Sequence, residues 1–135
     1  MIDPNIDRIK RFNKNFLKKN FDASKNKGPK PAIVEFNLNG TCSRRCAFCP
    51  RVDEKAYPNL DEHFSFELYE KIMKELARWN YDGRVAWSGY GEPMMHFDVF
   101  KLIEITKKNL KNCTLDMVSN GDYLDKNVIK NLFDK

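Results

Sequence analysis

Strand-like and helix-like segments alternate along most of this sequence, and this alternation restricts its fold more than any other feature. The three predicted strands are the apolar runs AIVEFNL, RVAWSG and TLDMVS, at 32–38, 84–89 and 114–119. Ser65 and Asp98 are predicted to cap the first two helices, and a third helix is expected within 122–133. Strands that alternate with helices form parallel βαβ units. The sequence therefore predicts an α/β fold, a partial (βα) barrel with three βα units.

The N-terminal segment has a different character from the rest of the chain. Ile6, Ile9, Phe12 and Phe16 recur at helical spacing, so we expect an amphipathic helix over 5–20, followed by a linker at 25–31. Residues 1–31 hold nine Lys/Arg and three Asp/Glu, a net charge of +6, whereas 32–135 hold fifteen and sixteen, a net charge of −1. The predicted division is a basic arm at 1–31 and a core domain at 32–135.

The composition argues against a membrane-spanning or secreted protein. The hydrophobic content of 41% is ordinary for a globular protein, and no apolar run approaches the roughly 20 residues that span a bilayer. The first ten residues, MIDPNIDRIK, lack the apolar centre of a signal peptide, so we expect a cytoplasmic protein. The basic arm is compatible with an acidic partner, nucleic acid or a membrane surface, but a solvated helix face is favoured. The near-neutral core argues against a broad nucleic-acid surface.

The residues that carry chemistry follow the predicted strands. The motifs Cys42–Cys49, Gly89–Pro93 and Ser119–Gly121 come after the first, second and third strand respectively. In parallel α/β folds, sites gather at the carboxyl ends of strands. We therefore expect the three motifs to converge on one rim of the sheet.

Cys42, Cys46 and Cys49 lie within eight positions. In a reducing compartment such a group indicates a soft metal rather than disulfides. A zinc site would need a fourth ligand, which Cys113, His63 or His96 could supply. A four-iron cluster held by three cysteines would instead keep one iron open for a substrate. Both alternatives stay open on the residues alone.

The motifs together resemble the radical S-adenosylmethionine (SAM) superfamily. Cys42-x3-Cys46-x-Phe48-Cys49 looks like the family's cysteine signature, with an aromatic residue before the last cysteine. The sequence SGYGEP at 88–93 resembles the family's Gly-Gly-Glu-Pro turn, with Tyr90 in place of the first glycine of that pair. The sequence SNG at 119–121 is similar to the turn after the family's third strand. The resemblance covers residues 32–135.

The resemblance implies a function and a set of residue roles. The expected enzyme holds a [4Fe–4S] cluster that cleaves SAM reductively to a 5′-deoxyadenosyl radical, which abstracts hydrogen from a substrate. It implies an electron donor such as a flavodoxin or ferredoxin, and an unknown substrate that is a peptide, a sugar or another small molecule. The expected metal ligands are Cys42, Cys46 and Cys49, and the expected SAM contacts are Phe48, Tyr90, Gly91, Glu92, Pro93, Ser119 and Asn120. The alternative is a non-catalytic zinc-binding or nucleic-acid-binding module that uses the same three cysteines.

Some features depart from the family's pattern. Family members run on to six strands, so we expect this chain to be the N-terminal half of such a core, a fragment or an inert truncation. The residues of the motifs favour the branch of the superfamily that carries SPASM or twitch extensions, although the additional cysteines of those extensions are missing from this sequence. The polar residues Glu35, Asn37 and Asn39 of the first strand, and Asp116 of the third, are placed towards the barrel lumen, although for each residue taken singly local hydrogen bonding at a strand end is favoured. Trp87 and Phe97 are expected in the core, and His63 at the surface.

Overall fold

The protein is described by a computed structural model that covers residues 30–134. Its elements are β1 (Ile33–Phe36), α1 (Phe66–Arg78), β2 (Arg84–Trp87), α2 (Val99–Asn109), β3 (Thr114–Met117) and α3 (Lys126–Asp134). Short 3-10 turns lie at Pro50–Val52 and Pro93–Met95. The predicted helix at 5–20 lies outside the described residues, and the division at residue 31 stays a prediction.

The three strands form one parallel sheet in the order β1-β2-β3. Each strand is followed by a helix, so the prediction of an α/β fold with three parallel βα units is confirmed. No helix in the described part of the chain is long and apolar enough to cross a membrane.

The two faces of the sheet differ in polarity because strand side chains alternate between faces. The rows Val34–Val85–Leu115 and Phe36–Trp87–Met117 belong to the hydrophobic core or pack against it. On the helical side this core is closed by buried side chains of α1 and α2, namely Tyr69, Met73, Leu76, Val99, Leu102 and Ile103.

A chain of hydrogen bonds satisfies the polar groups inside the core. The Trp87 indole N–H donates to the Tyr69 hydroxyl at 3.0 Å, and the Tyr69 and Thr106 hydroxyls are 2.7 Å apart. The Thr106 hydroxyl also donates to the Leu102 carbonyl at 2.7 Å. Because an unpaired buried polar group is costly, this series of hydrogen bonds fixes how β2, α1 and α2 pack together.

Local sequence signals set where each helix begins. The Ser65 hydroxyl accepts from Leu68 N at 3.0 Å, so this residue caps α1 as predicted. Asp98 precedes α2 but its side chain makes no capping bond; His96 Nδ1 accepts from Asp98 N at 3.1 Å instead. Asp125 Oδ1 accepts from Val128 N at 2.8 Å, and α3 therefore begins at residue 126.

Candidate functional site

Glu92 connects the three loops that follow the strands. Its side chain is buried, with 2% of the residue's surface exposed. Oε1 accepts from the Ser119 hydroxyl at 2.9 Å and from Met94 N at 3.0 Å, while Oε2 accepts from Asn120 N at 2.7 Å. One carboxylate therefore fixes the turn after β2 to the turn after β3.

The main chain of Glu92 extends this connection to β1. Glu92 N donates to Thr41 O at 2.8 Å, and Glu92 O accepts from the Asn39 side-chain amide at 2.8 Å. Asn39 is itself buried and lies three residues beyond the end of β1. The three motif loops thus lie together at one rim of the sheet, where the sequence placed them.

Gly91 is required by the packing of the turn against the end of β1. A Cβ at this position would lie 2.1 Å from Asn39 O and 2.3 Å from Asn39 Oδ1. Gly91 N donates to Asn37 Oδ1 at 3.1 Å, and Gly89 has a φ of +116°. Both glycines are therefore needed for the turn itself, before any ligand is considered.

The three cysteines of the first loop are unpaired and half-buried. Cys49 N donates to Cys46 O at 2.9 Å, which folds these two residues into one turn. Cys42 Sγ is 3.5 Å from Arg44 N and 3.6 Å from the Asn120 side-chain nitrogen. The first thiol is therefore tied to the loop after β3.

The side chain of Asn59 holds the main chain of Cys42 from the other side. Asn59 Oδ1 accepts from Cys42 N at 3.1 Å, and Asn59 Nδ2 donates to Cys42 O at 3.3 Å. No sequence signal indicates this role, because Asn59 lies 17 residues away from Cys42.

The two arginines between the cysteines are each paired with a carboxylate. Arg44 forms a hydrogen-bonded ion pair with Asp122, and Arg45 forms an ion pair with Glu54. The hydrogen bonds with Asp122 raise the pKa of Arg44, and they lower the pKa of Asp122. About half of each arginine side chain is exposed, so solvent screens these charges.

Arg51 is the buried cation of this region. It is 3% exposed, and its guanidinium donates to Tyr90 O, to Gly40 O at 2.7 Å and to Asn59 Oδ1 at 2.6 Å. It also lies 5.0 Å from the centre of the Tyr57 ring, which packs edge-on against Tyr90. The sequence did not predict this burial, since no local pattern distinguishes Arg51 from its exposed neighbours.

Other expected site residues lie at or near the same rim. Phe48 is 92% exposed, Tyr90 is 47% exposed and Pro93 is buried at the start of a 3-10 turn. Phe97, which was expected in the core, is 73% exposed. That expectation was wrong because Phe97 stacks on His96 at 4.8 Å at the surface, and only Trp87 enters the core.

The candidate fourth zinc ligands do not join the cysteines. Cys113 precedes β3, at the opposite end of the sheet, and burial raises the pKa of its thiol. His96 is buried, its Nε2 bonds to Phe64 O at 2.9 Å, and burial lowers its pKa. The His63 ring lies 5.3 Å from that of His96 and its side chain is only 18% exposed, so the prediction of a surface residue was wrong.

The thiols of Cys42, Cys46 and Cys49 can be compared with the needs of a zinc site and of a four-iron cluster, the two metal centres that the sequence allows. A single zinc ion needs four donors around one point. Within residues 30–134, no group of three or more His, Cys, Asp or Glu side chains converges in that way. A four-iron cluster binds each thiolate at a separate iron, so its cysteines need not meet at one point. The three half-buried thiols on one loop fit the cluster better.

The face of the sheet away from the helices carries polar pairs. The Ser88 hydroxyl donates to Glu35, and the Arg84 guanidinium donates to Asp116 at 2.9 Å. Glu35 and Asp116 flank Ala86 in the same row of the sheet. Glu35, Ser88 and Asp116 form a hydrophilic floor that leads towards the rim.

The chain is similar to known proteins in sequence and in fold. A family model described as the Radical SAM superfamily matches residues 36–135. The S-adenosyl-L-methionine-dependent 2-deoxy-scyllo-inosamine dehydrogenase of Niallia circulans is 24% identical over 101 residues, which cover 75% of this chain and 40% of that protein.

Two solved structures share the fold. BtrN in complex with AdoMet and 2-DOIA matches with a TM-score of 0.70 and 22% identity, over 76% of this chain and 41% of that one. Selenomethionine BtrN in an open conformation matches with a TM-score of 0.69 and 21% identity, over 80% and 47%. The chain thus spans less than half the length of each of these relatives.

Proposed function

This chain belongs to the radical SAM superfamily, and from that premise we propose that it forms the part of a radical SAM enzyme that binds the cluster and SAM. The proposed ligands of a [4Fe–4S] cluster are the thiolates of Cys42, Cys46 and Cys49. When bound, the cluster and SAM supply a one-electron cleavage of SAM, which yields a 5′-deoxyadenosyl radical able to abstract hydrogen from a substrate. The hydrogen-bond network of Glu92, which joins all three motif loops, carries this proposal.

The residues of this chain would act mainly by holding and orienting. The bonds from Arg44 N and Asn120 Nδ2 to Cys42 Sγ fix the direction of the first thiolate. Tyr90 O has a second lone pair beside its bond from Arg51, and we propose that it accepts from the SAM ammonium group. The exposed Phe48 ring would cover the adenine, with Gly91 and Pro93 shaping the turn, and Ser119 and Asn120 bordering the methionine or ribose.

The substrate is proposed to be a polar small molecule. The hydrophilic floor formed by Glu35, Ser88 and Asp116 suits hydroxyl or amine groups. The inosamine dehydrogenase that this chain resembles acts, by its name, on an aminocyclitol.

A small electron-transfer protein such as a flavodoxin or ferredoxin would supply the electron, and we propose a cytoplasmic location. Membership of the SPASM or twitch branch stays a prediction.

Anaerobic reconstitution tests the proposal. We expect about four irons and four sulfides per chain, with broad visible absorbance that changes when SAM is added. The variant Cys46→Ala should lose the cluster, whereas Cys113→Ala, at the far end of the sheet, should keep it. A colourless chain that binds one zinc ion would contradict the proposal and favour the binding-module alternative.

A further inference from the structure

Within residues 30–134, Arg51 places a positive charge without a carboxylate partner next to the proposed cluster loop. It follows Cys49 by two residues and is 3% exposed. Its four hydrogen-bond acceptors in the described part of the chain are all carbonyl oxygens, those of Tyr90, Gly40, Pro58 and the Asn59 side chain. Because these acceptors are neutral, they satisfy the N–H groups but do not cancel the charge.

We propose that Arg51 is a positioning residue for this site, and that its buried charge raises the reduction potential of the cluster. The inference rests on the proposed function and deepens it. It assigns one side chain two separable effects, one that depends on the geometry of the guanidinium and one that depends on its charge.

The geometric effect follows from what the guanidinium touches. Nη1 lies 2.6 Å from Asn59 Oδ1, and the same oxygen lies 3.1 Å from Cys42 N. The other nitrogens donate to Gly40 O, just beyond β1, and to Tyr90 O, in the turn after β2. Arg51 therefore fixes the first cysteine relative to the carbonyl proposed to receive SAM. Lysine cannot replace it, because an ammonium group lacks the planar fork.

The charge effect follows from burial. Reduction adds a negative charge to a cluster, and a nearby cation stabilises that charge more strongly in a protein interior than in water. Arg44 and Arg45, which are closer in sequence to the first two cysteines, are half-exposed and paired with Asp122 and Glu54. Solvent and these carboxylates reduce their influence. The buried Arg51 should therefore have a larger effect on the reduction potential of the cluster than Arg44 or Arg45.

The experiment compares anaerobically reconstituted wild-type chain with four variants. Midpoint potentials are measured by redox titration of the reduced cluster's electron paramagnetic resonance signal, and SAM affinity by the change that SAM causes in that signal. The variants are Arg51→Gln, Arg51→Lys, Asn59→Asp and, as a matched control, Arg45→Gln.

The two effects predict different patterns. Arg51→Gln should lower the reduced-to-oxidised ratio at fixed potential about tenfold, which is about 59 mV for one electron, and should weaken SAM binding at least as much. Arg51→Lys should keep the potential but weaken SAM binding. Asn59→Asp places a carboxylate against Nη1 and should lower the potential although the guanidinium is retained. Arg45→Gln should change neither quantity.

Each outcome is decisive. If Arg51→Gln fails to fold by circular dichroism, Asn59→Asp still tests the charge effect through the midpoint potential, because it retains the guanidinium. An unchanged midpoint potential in Arg51→Gln and Asn59→Asp would overturn this inference. A shift of the potential in Arg45→Gln as large as that in Arg51→Gln would also overturn it. Neither result would affect the proposed function. A wild-type chain that takes up no iron or sulfide would overturn the proposed function, and this inference with it.

Discussion

Replacing Glu92 by glutamine tests whether its carboxylate holds the three loops together. In the native chain Oε1 accepts two hydrogen bonds, at 2.9 and 3.0 Å, and Oε2 accepts one at 2.7 Å. Glutamine has the same size but presents an NH2 group to one of these sides. That group would then face either Asn120 N–H or Met94 N–H, and one main-chain donor would lose its acceptor.

The magnitude follows from the burial of this site. A buried donor without a partner costs about 1–3 kcal/mol. Since Glu92 is only 2% exposed, water cannot readily replace the lost acceptor. We therefore expect Glu92→Gln to lower the free energy of unfolding by about 2 kcal/mol, which reduces the folded-to-unfolded ratio by a factor of up to about 30.

Urea unfolding, followed by far-ultraviolet circular dichroism, measures this difference. The matched control is Glu75→Gln on α1, because Glu75 is 57% exposed and pairs with Arg78 one helical turn away. This control should cost less than about 0.5 kcal/mol. Amide hydrogen exchange at Asn120 should also accelerate in Glu92→Gln. Equal stability of the two variants would show that the Glu92 carboxylate does not join the loops.

Three further outcomes follow from the same structure. Gly91→Ala should destabilise the fold by about 1–3 kcal/mol through overpacking against Asn39, as measured by thermal unfolding, and more than Gly121→Ala, where φ is +85° but no atom lies within 4 Å of the added Cβ. Tyr69→Phe should cost about 1–2 kcal/mol in urea unfolding, since the Trp87 N–H loses its acceptor; no loss would argue against the buried chain of hydroxyls. Burial raises the pKa of Tyr69 to about 12, so the folded chain holds this proton more tightly than the unfolded chain. The free energy of unfolding should therefore fall as the pH rises from about 10 to about 12, and less steeply in Tyr69→Phe.

The sequence predicted the parallel α/β fold because the fold depends on local periodicity. Alternating apolar residues mark β1 and β3, and helical spacing marks the buried face of α2 at Val99, Leu102, Ile103 and Thr106. The start of α1 was predicted correctly, because the N-cap bond to Ser65 involves only residues that are close in sequence. The start of α3 was less well predicted: Asp122 also resembles a cap, but its carboxylate binds Arg44, and Asp125 caps the helix instead.

The composition of the rim was also visible in the sequence, because each motif directly follows a strand and parallel strands end at the same edge. What the sequence did not contain is how the motifs hold one another. Glu92 was expected as a SAM contact, and no sequence signal indicated its bonds to residues 27 and 28 positions away. Gly91 was also expected as a SAM contact, and the sequence did not show that Asn39 occupies the space where a side chain would lie.

The element order, the parallel pairing and the set of residues at the rim can be derived from the amino-acid sequence, since these depend on spacing between near neighbours. Which charges near the cysteines are cancelled becomes visible only once the chain is folded. Arg44 and Arg45 stand between cysteines in the sequence but meet carboxylates at the surface, whereas Arg51 is buried among carbonyl oxygens. The physical reason is that the environment of a charge is set by residues distant in sequence, and no local pattern records which of them will be packed against it.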